Sequence, residues 1–287
     1  MSSSSLANTT VAELAHRAHA AAPALAVAQT KTKDACLLAA ADRLQADASV
    51  ILAANAVDVA HAEASGSHEG LVDRLRLDEG RLASMASGLR QVANLKDPVG
   101  AVTASWSRPN GLQLSKMRVP LGVVAIIYEN RPNVTSDAFG LCLKSGNVAF
   151  MRGSSGALTS NQAIATSIRS ALVSAELPAD GLVLVEDGSR EAAVEFMKQR
   201  GFVDCLIPRG GRSLIRSVLE NATVPYVIDG DGNCHVYVDE SADLGMAAKI
   251  LFNAKTQRPS VCNAAESLVV HAGVADRFLP IVTEALD

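Results

Sequence analysis

The sequence predicts an α/β protein in which a doubly wound parallel β-sheet follows a helical N-terminal region. Up to about residue 95 the chain is rich in alanine, and its apolar residues recur three and four positions apart, as in helices with one buried face. From Pro120 onward, short apolar runs alternate with such helical patterns, which implies parallel strands joined by right-handed crossovers. A hydrophobic content of 48% over 287 residues is sufficient for a substantial core.

The N-terminal region is predicted to contain four helices. Proline lacks an N–H donor and clashes with the preceding turn, so Pro23 is expected to end the first helix. Gly66 and Gly70 mark a turn, and Asp78 is placed to cap the last helix. The predicted helices span residues 11–22, 31–55, 57–64 and 81–95.

A hairpin is predicted after these helices. Lys96-Asp-Pro-Val-Gly100 breaks the helical pattern. Residues 102–106 and 112–119 then alternate apolar and polar side chains around the turn sequence Pro109-Asn-Gly, which is typical of two antiparallel strands. We expect this hairpin to lie apart from the main sheet.

The main sheet is predicted to begin at residues 121–128, a nearly continuous apolar run typical of a strand covered on both faces. Thr135 or Ser136 is placed to cap a helix that continues to Lys144, and Gly146 suits the left-handed position after it. The further predicted strands of this region are residues 147–151, 182–186, 204–207, 226–228 and 234–238, and its further helices are 158–174, 191–199, 212–221 and 244–253. Outside this sheet, a strand over residues 268–271 and a helix over 274–286 are predicted to follow residue 262.

Glycine and arginine recur in the loops where a parallel sheet binds its ligand, at the carboxyl ends of the strands. Glycine lets the backbone approach a ligand closely, and arginine offers a permanent charge and several donors to phosphate. Together the loops indicate a nucleotide, although each is also compatible with an ordinary turn, and the G-x-G-x-x-G fingerprint is absent because His235 stands at its third glycine position. The loops are Glu129-Asn-Arg-Pro, Arg152-Gly-Ser-Ser-Gly, Pro208-Arg-Gly-Gly and Asp229-Gly-Asp-Gly-Asn.

Charge and composition exclude several classes of partner. With 26 basic and 30 acidic residues the net charge is −4, which favours neither nucleic acid nor an anionic membrane surface as the main partner. A small anionic substrate remains compatible with local cations. No apolar run approaches the ~18 residues of a membrane span, and the N-terminus lacks the pattern of a secretory signal.

The cysteines and histidines predict neither a metal site nor a disulfide framework. The five cysteines are odd in number and contain no C-x-x-C pair, which favours a reducing compartment and a cytoplasmic protein. The histidines of the helical region are not spaced as metal ligands, so surface positions are expected for them. They are His16, His19, His61 and His68.

Cys262 is the candidate nucleophile. Lys255 and Arg258 precede it, and the residues that follow, from Asn263 to Glu266, read as the first turn of a short helix. Nearby cations and helix N-terminal amides both favour the thiolate, which is the reactive form. The alternative is an inert buried thiol that behaves as a small hydrophobe. Such a thiol has no need of these polar neighbours.

Longer motifs carry a family resemblance. The chain contains Val119-Pro-Leu-Gly-Val, Tyr128-Glu-Asn-Arg-Pro-Asn-Val-Thr135, Asn233-Cys-His-Val-Tyr-Val-Asp239 and Asn253-Ala-Lys-Thr-Gln-Arg-Pro-Ser-Val-Cys-Asn-Ala-Ala-Glu266. Together these segments resemble the gamma-glutamyl phosphate reductase family, part of the aldehyde dehydrogenase superfamily. Asp73-Arg-Leu and Leu95-Lys-Asp-Pro-Val-Gly100 also match, so the similarity extends over essentially the whole chain.

The resemblance implies an aldehyde-dehydrogenase-like fold with a Rossmann-like NADP(H)-binding domain over residues 1–258 and the start of a catalytic domain over 259–287. In that superfamily the catalytic domain continues far beyond the reactive cysteine, so most of it is expected to be missing from this sequence. The implied activity is reduction of L-glutamate 5-phosphate by NADPH to the semialdehyde and phosphate, in proline biosynthesis. Functional coupling to glutamate 5-kinase and a homo-oligomer are the implied partners.

The resemblance also implies roles for individual residues. Cys262 attacks the acyl phosphate to form a thioester, and Asn130 stabilises the oxyanion together with the backbone N–H of the cysteine. The substrate's phosphate or carboxylate is bound by cations, for which structural salt bridges are the alternative role. These cations are Arg131, Lys255 and Arg258. The cofactor is bound by Arg152, Gly153, Gly210 and Gly211, with Arg152 suited to the 2′-phosphate of NADP.

One departure from aldehyde-oxidising members favours reduction. They use a glutamate before a Gly-Gly pair to activate water, whereas the matching region here is Ile228-Asp-Gly-Asp-Gly232, with Asp229 nearest and shorter. Three hypotheses remain open: the reductase, an NAD(P)-dependent aldehyde dehydrogenase that works in the oxidative direction, and a non-catalytic NADP-binding fragment.

Overall fold

The computed structural model describes residues 9–228, 232–259 and 261–286. The chain divides into two compact units, Met1–Ile228 and Asp229–Asp287. The predicted functional boundary between residues 258 and 259 falls inside the second unit, and it remains a prediction about roles.

The N-terminal region is helical, as predicted, but several helix limits differ from the predicted ones. A capping box between Thr10 and Glu13 begins α1. The prediction that Pro23 ends α1 is wrong, because Pro23 is exposed while Leu25, beyond it, is fully buried in the core. The free energy gained by burying Leu25 outweighs the backbone hydrogen bond lost at Pro23. The helices are α1 Val11–Ala26, α2 Thr30–Ala46, α3 Ala48–Ala64, α4 Glu69–Leu75 and α5 Glu79–Asn94.

The predicted helix over residues 31–55 is in fact interrupted at Asp47. The Asp47 carboxylate accepts a hydrogen bond of 2.8 Å from Ser167, which lies far along the chain, so a long-range contact accompanies the break. The turn expected around Gly70 is also wrong, since α4 forms there with the His68 side chain as its N-cap. The predicted Asp78 cap of α5 is confirmed.

The hairpin is confirmed. Strands β1, Val102–Ser107, and β2, Gln113–Met117, pair antiparallel in a sheet of their own. All six residues of β1 are exposed, including Trp106. Within the first unit this hairpin therefore has an uncovered surface.

A four-stranded parallel sheet in the order β5-β4-β3-β6 forms the centre of the first unit. The chain winds outward from β3 through β4 to β5 and then returns to place β6 on the other side of β3. Right-handed crossovers therefore place helices on both faces. The strands are β3 Val123–Tyr128, β4 Val148–Arg152, β5 Leu182–Leu184 and β6 Cys205–Arg209, and the helices are α6 Asn133–Lys144, α7 Leu158–Ser174, α8 Arg190–Phe196 and α9 Arg212–Asn221.

Two further local predictions in this region are wrong. The expected strand over residues 226–228 is only an isolated bridge between Tyr226 and Leu206. Thr135 and Ser136 do not cap α6 but lie inside it, where Thr135 is fully buried and hydrogen-bonds the Tyr128 hydroxyl at 2.7 Å. Gly146, in contrast, adopts the predicted positive φ of 76°.

Two buried lysines join the helical layer to the sheet region. Lys33, 1% exposed, pairs with Asp97 at 2.6 Å and donates to the Lys144 carbonyl at 3.2 Å. Lys144, 3% exposed, pairs with Asp34 at 2.5 Å. Burial of an unpaired ammonium is costly, so each lysine can be buried only in a packing that supplies these partners.

The second unit has its own small sheet. Strands β7, Cys234–Val238, and β8, Ala265–Val270, pair in parallel with α10, Leu244–Thr256, between them, and α11, Ala272–Leu286, follows. The prediction that residues 234–238 extend the main sheet is therefore wrong. No helix in the described parts of the chain is long and apolar enough to cross a membrane.

Candidate functional site

The winding of the main sheet reverses between β3 and β6, and in open parallel sheets ligands bind at the carboxyl ends of the strands at such a point. Glu129 follows β3 here, and its backbone N–H donates to the Arg209 carbonyl at the end of β6. Its carboxylate accepts a hydrogen bond of 3.1 Å from the N–H of Gly211, the N-cap residue of α9. The carboxylate therefore lies against the positive end of that helix.

The predicted cofactor glycines of this loop both lie beside Glu129. A Cβ atom at Gly210 would approach the Glu129 side chain to 2.7 Å, and one at Gly211 would meet it at 3.9 Å. Gly210 and Gly211 are exposed, as a ligand-binding loop requires. Glu129 was predicted only as part of a candidate nucleotide-binding loop, with no role of its own, although its position directly after a buried strand was a usable signal.

Arg152 ends β4, the neighbouring strand, and reaches across to the loop after β5. Its guanidinium donates to the carbonyls of Gly188 and Ser189, both at 2.8 Å. The Nε atom is buried and has no hydrogen-bond partner within the described residues. Burial lowers the pKa of Arg152, and the charge of Asp187 offsets part of that effect. One buried donor of this half-buried cation thus has no partner among the described residues.

Gly153 is buried, and its lack of a side chain is a packing requirement. A Cβ atom there would overlap the amide of Asn161, which is fully buried. Asn161 in turn accepts a hydrogen bond from Thr135 at 3.1 Å. The structure thus supplies a reason for this glycine that does not involve a ligand.

Asn130 and Arg131 lie in the loop after β3 and are half-buried. The Ser154 hydroxyl, from the loop after β4, donates to Asn130 Oδ1. Because Oδ1 is engaged as an acceptor, the amide nitrogen Nδ2 is the group left to donate elsewhere. Ser154, which was predicted only as part of the Arg152-Gly-Ser-Ser-Gly loop, therefore sets the orientation of the predicted oxyanion donor.

Cys262 belongs to the second unit and is exposed. The predicted short helix after it is wrong: Cys262 and Asn263 lie in a turn, and β8 begins at Ala265. Helix N-terminal amides therefore do not contribute to the environment of this thiol. The position is instead a tight turn in which a Cβ atom at Gly232 would overlap the Cys262 carbonyl oxygen.

Lys255, predicted as a substrate ligand, lies in the last turn of α10, and its ammonium donates to the Ala265 carbonyl at 3.1 Å. This bond joins the helix to the start of β8, three residues after Cys262. Arg258 is exposed in the segment between them. The second unit thus brings Lys255 and Cys262 to the same end of β8.

Three cysteines are shielded from such chemistry. Cys36, Cys142 and Cys205 are buried. Burial raises the pKa of the Cys36 and Cys142 thiols to about 12, and it also raises the pKa of Cys205. Within the described residues no three histidine, cysteine or carboxylate side chains are grouped so as to hold a metal ion.

Asn130, Arg152, Gly153, Gly210 and Gly211 thus meet at the carboxyl edge of the main sheet, and Cys262 and Lys255 meet in the second unit. Asp229, the candidate for the missing general base, lies outside the described residues.

Comparison with known proteins identifies a family that this chain matches. Residues 2–287 match the sequence model of the aldehyde dehydrogenase family. A gamma-glutamyl phosphate reductase from Caldanaerobacter subterraneus is 51% identical over 272 residues, 95% of this chain and 66% of the relative. The chain therefore spans about two thirds of the length of the curated relatives it matches.

Two solved structures are similar to this chain. The crystal structure of gamma-glutamyl phosphate reductase from Thermotoga maritima is similar with a TM-score of 0.88 and 44% identity, covering 96% of this chain and 67% of that one. A propionaldehyde dehydrogenase from Clostridium phytofermentans has a TM-score of 0.71 at 18% identity, over 96% of this chain and 60% of its own, and shows the shared fold.

Proposed function

Since the chain belongs to the aldehyde dehydrogenase family, we propose that the protein reduces L-glutamate 5-phosphate to L-glutamate 5-semialdehyde and phosphate with NADPH, in proline biosynthesis. The observation that carries this proposal is the exposed thiol of Cys262 in a turn within a segment that resembles gamma-glutamyl phosphate reductases. A relative that bears this name is 51% identical to the chain.

The carboxyl edge of the first unit fits a dinucleotide cofactor. The buried Nε of Arg152 lacks a partner within the described residues, and an arginine suits the additional 2′-phosphate that distinguishes NADP from NAD. Gly210 and Gly211 leave the backbone exposed at the N-terminus of α9, where negative charge is favoured. These residues and Gly153 would hold the cofactor. When bound, a reduced nicotinamide supplies a hydride.

Cys262 performs the first chemical step. Its thiolate attacks the carbonyl carbon of the acyl phosphate, and a carbon–sulfur bond forms as the carbon–oxygen bond to phosphate breaks. Phosphate leaves with the bonding electron pair, and a thioester remains on the enzyme. Dividing the reaction in this way replaces one difficult step with two easier ones.

The remaining site residues stabilise charge. The Nδ2 donor of Asn130 and the backbone N–H of Cys262 stabilise the oxyanion, at roughly 3 kcal/mol for each well-placed donor. Arg131, Lys255 and Arg258 bind the anionic groups of the substrate. Lys255 already donates to a backbone carbonyl, so it serves this role with its remaining two N–H groups.

We also propose the setting of this reaction. Acyl phosphates are supplied by kinases, so functional coupling to glutamate 5-kinase would provide the substrate. A homo-oligomer is supported by the exposed hairpin, in which Trp106 and Met117 are uncovered. A cytoplasmic location follows from the need for a reduced thiol at position 262.

The test measures turnover and cofactor binding together on the protein. Reduction of NADP by the semialdehyde should require phosphate, and Cys262→Ala should abolish it while NADPH still quenches or shifts protein fluorescence. Cys205→Ala, which removes a buried thiol, should retain turnover. Oxidation without phosphate would favour an oxidative aldehyde dehydrogenase, and NADPH binding without turnover in the unmodified protein would favour a non-catalytic nucleotide-binding role.

A further inference from the structure

Cys234 and Cys262 form a pair of thiols in the second unit. Cys234 is the first residue of β7 and is partly exposed, and Cys262 is exposed in the turn before β8. The Cys234 Sγ atom lies 3.5 Å from the carbonyl oxygen of Cys262 and donates its S–H to it. No step of the proposed reaction uses Cys234.

The Cys234 sulfur lies beside the backbone of Cys262. A carbonyl oxygen is roughly 2.4 Å from the Cα atom of its own residue by standard backbone geometry, so Cys234 Sγ is at most about 6 Å from Cys262 Cα. In a disulfide the two sulfur atoms are about 2.0 Å apart and the two Cβ atoms about 3.5–4.5 Å apart, so the Cys262 side chain must turn toward Cys234 before the bond can form. Gly232 permits this approach, since a side chain there would overlap the Cys262 carbonyl oxygen. Cys262 lies in a turn, outside the hydrogen-bonded strand. Rotation of its side chain toward Cys234 therefore does not disrupt the pairing of β7 with β8.

The other three cysteines are shielded from peroxide. Cys36, Cys142 and Cys205 are buried in the first unit. Their raised pKa values keep them as thiols, and the thiol form is a poor nucleophile toward peroxide. Oxidation of the folded chain is therefore directed to the second unit.

We propose that Cys234 is the resolving thiol for Cys262. A hydroperoxide oxidises the Cys262 thiolate to a sulfenic acid and is itself reduced to hydroxide or an alcohol. The Cys234 sulfur then attacks the sulfenic sulfur, a sulfur–sulfur bond forms, and water leaves with the displaced oxygen. A dithiol reductant restores both thiols and becomes a disulfide itself.

The consequence is reversible protection of the nucleophile. A sulfenic acid that is not resolved is oxidised further to sulfinic acid, which thiols do not reduce. Because Cys234 converts the sulfenic acid into a disulfide, excess peroxide leaves the protein inactive in a form that a dithiol reductant restores. The formation of the disulfide concerns the two thiols alone and goes beyond the proposed reductase activity, whereas the loss of activity on oxidation rests on that proposed function.

The test is thiol chemistry on the folded chain. After brief exposure to hydrogen peroxide and alkylation, two of the five thiols should be lost, and the mass before alkylation should fall by about 2 Da. Trypsin cleaves after Lys249 and Lys255, so the linked cysteines would appear as two different peptides joined by a bond that dithiothreitol breaks.

Two variants complete the test. In Cys234→Ser no internal disulfide should form, and Cys262 should gain about 32 Da as sulfinic acid that dithiothreitol does not remove. The matched control, Cys142→Ser, should form the 234–262 link as the unmodified chain does. Formation of sulfinic acid at Cys262 at the same rate in the unmodified chain and in Cys234→Ser would overturn the proposal, as would a disulfide that links two chains.

Discussion

We expect Glu129 to compete with the proposed cofactor for the N-terminus of α9, and Glu129→Gln tests this. The carboxylate accepts a hydrogen bond from the Gly211 N–H at 3.1 Å and lies at the N-terminus of α9, where the proposed cofactor's diphosphate would also bind. A hydrogen bond to a charged group contributes about 1 kcal/mol more than a neutral one, and the helix dipole adds roughly 0.3–1 kcal/mol. Glutamine keeps the shape and an acceptor oxygen of the glutamate, but it loses the extra strength of the charged hydrogen bond and the interaction with the helix dipole. A diphosphate should therefore displace it more easily, and NADPH should bind about tenfold more tightly.

The assay is fluorescence titration of NADPH at fixed ionic strength. A matched control is Glu79→Gln, which removes the same charge from the first turn of α5, at the start of a different helix. The control should leave the dissociation constant unchanged, and high salt should reduce the difference between Glu129→Gln and the unmodified chain. Equal or weaker NADPH binding by Glu129→Gln would refute the idea that this carboxylate competes with the cofactor.

Three other changes test the fold and the site. Lys33→Met leaves the Asp97 carboxylate without its ammonium and should destabilise the chain by about 3 kcal/mol in urea unfolding at neutral pH. Burial raises the pKa of Asp97, but hydrogen bonds, chiefly from Lys33, lower it below its value in the unfolded chain. The loss of stability in Lys33→Met should therefore persist above about pH 4 and shrink as the pH falls further. A loss of stability that does not change with pH would contradict this assignment. Ser154→Ala releases the oxygen of Asn130, and it should lower kcat with little change in KM; an unchanged kcat would show that the amide needs no such support. Gly153→Ala should lower the unfolding temperature even without cofactor, because its Cβ overlaps a buried amide, and unchanged stability would remove the packing reason for this glycine.

The elements of the sheet region could largely be predicted from local patterns. The predicted helix over residues 158–174 and α7 have the same limits, and the apolar run from 121 to 128 contains β3, whose six residues are all buried. Gly146 adopts the left-handed conformation expected of it. These features depend on side-chain periodicity and backbone freedom within a few residues, so neighbouring residues suffice to predict them.

The errors share a different cause. Pro23 remains within α1 because Leu25 is buried in the core, and the helix break at Asp47 accompanies a hydrogen bond to Ser167. The segment after Cys262 becomes a strand because it pairs with β7. In each case a distant partner outweighs local propensity, and no short window of sequence contains that partner.

The candidate site divides in the same way. The chemistry of the reactive groups could be named in advance, since a cysteine among cations and glycine loops after apolar strands are local features. The residues that support these groups could not be named in advance, because each contact joins residues from different loops or strands. The contacts are Glu129 with Gly211, Ser154 with Asn130, and Cys234 with Cys262.

The sequence by itself thus determined the fold class, most helices and strands, and the residue types that can do chemistry, because these follow from periodicity and functional groups. Only the tertiary structure decided which side chains hold those groups in place and which sheet each strand joins. Such choices depend on burial and hydrogen bonding between parts of the chain that meet only after folding.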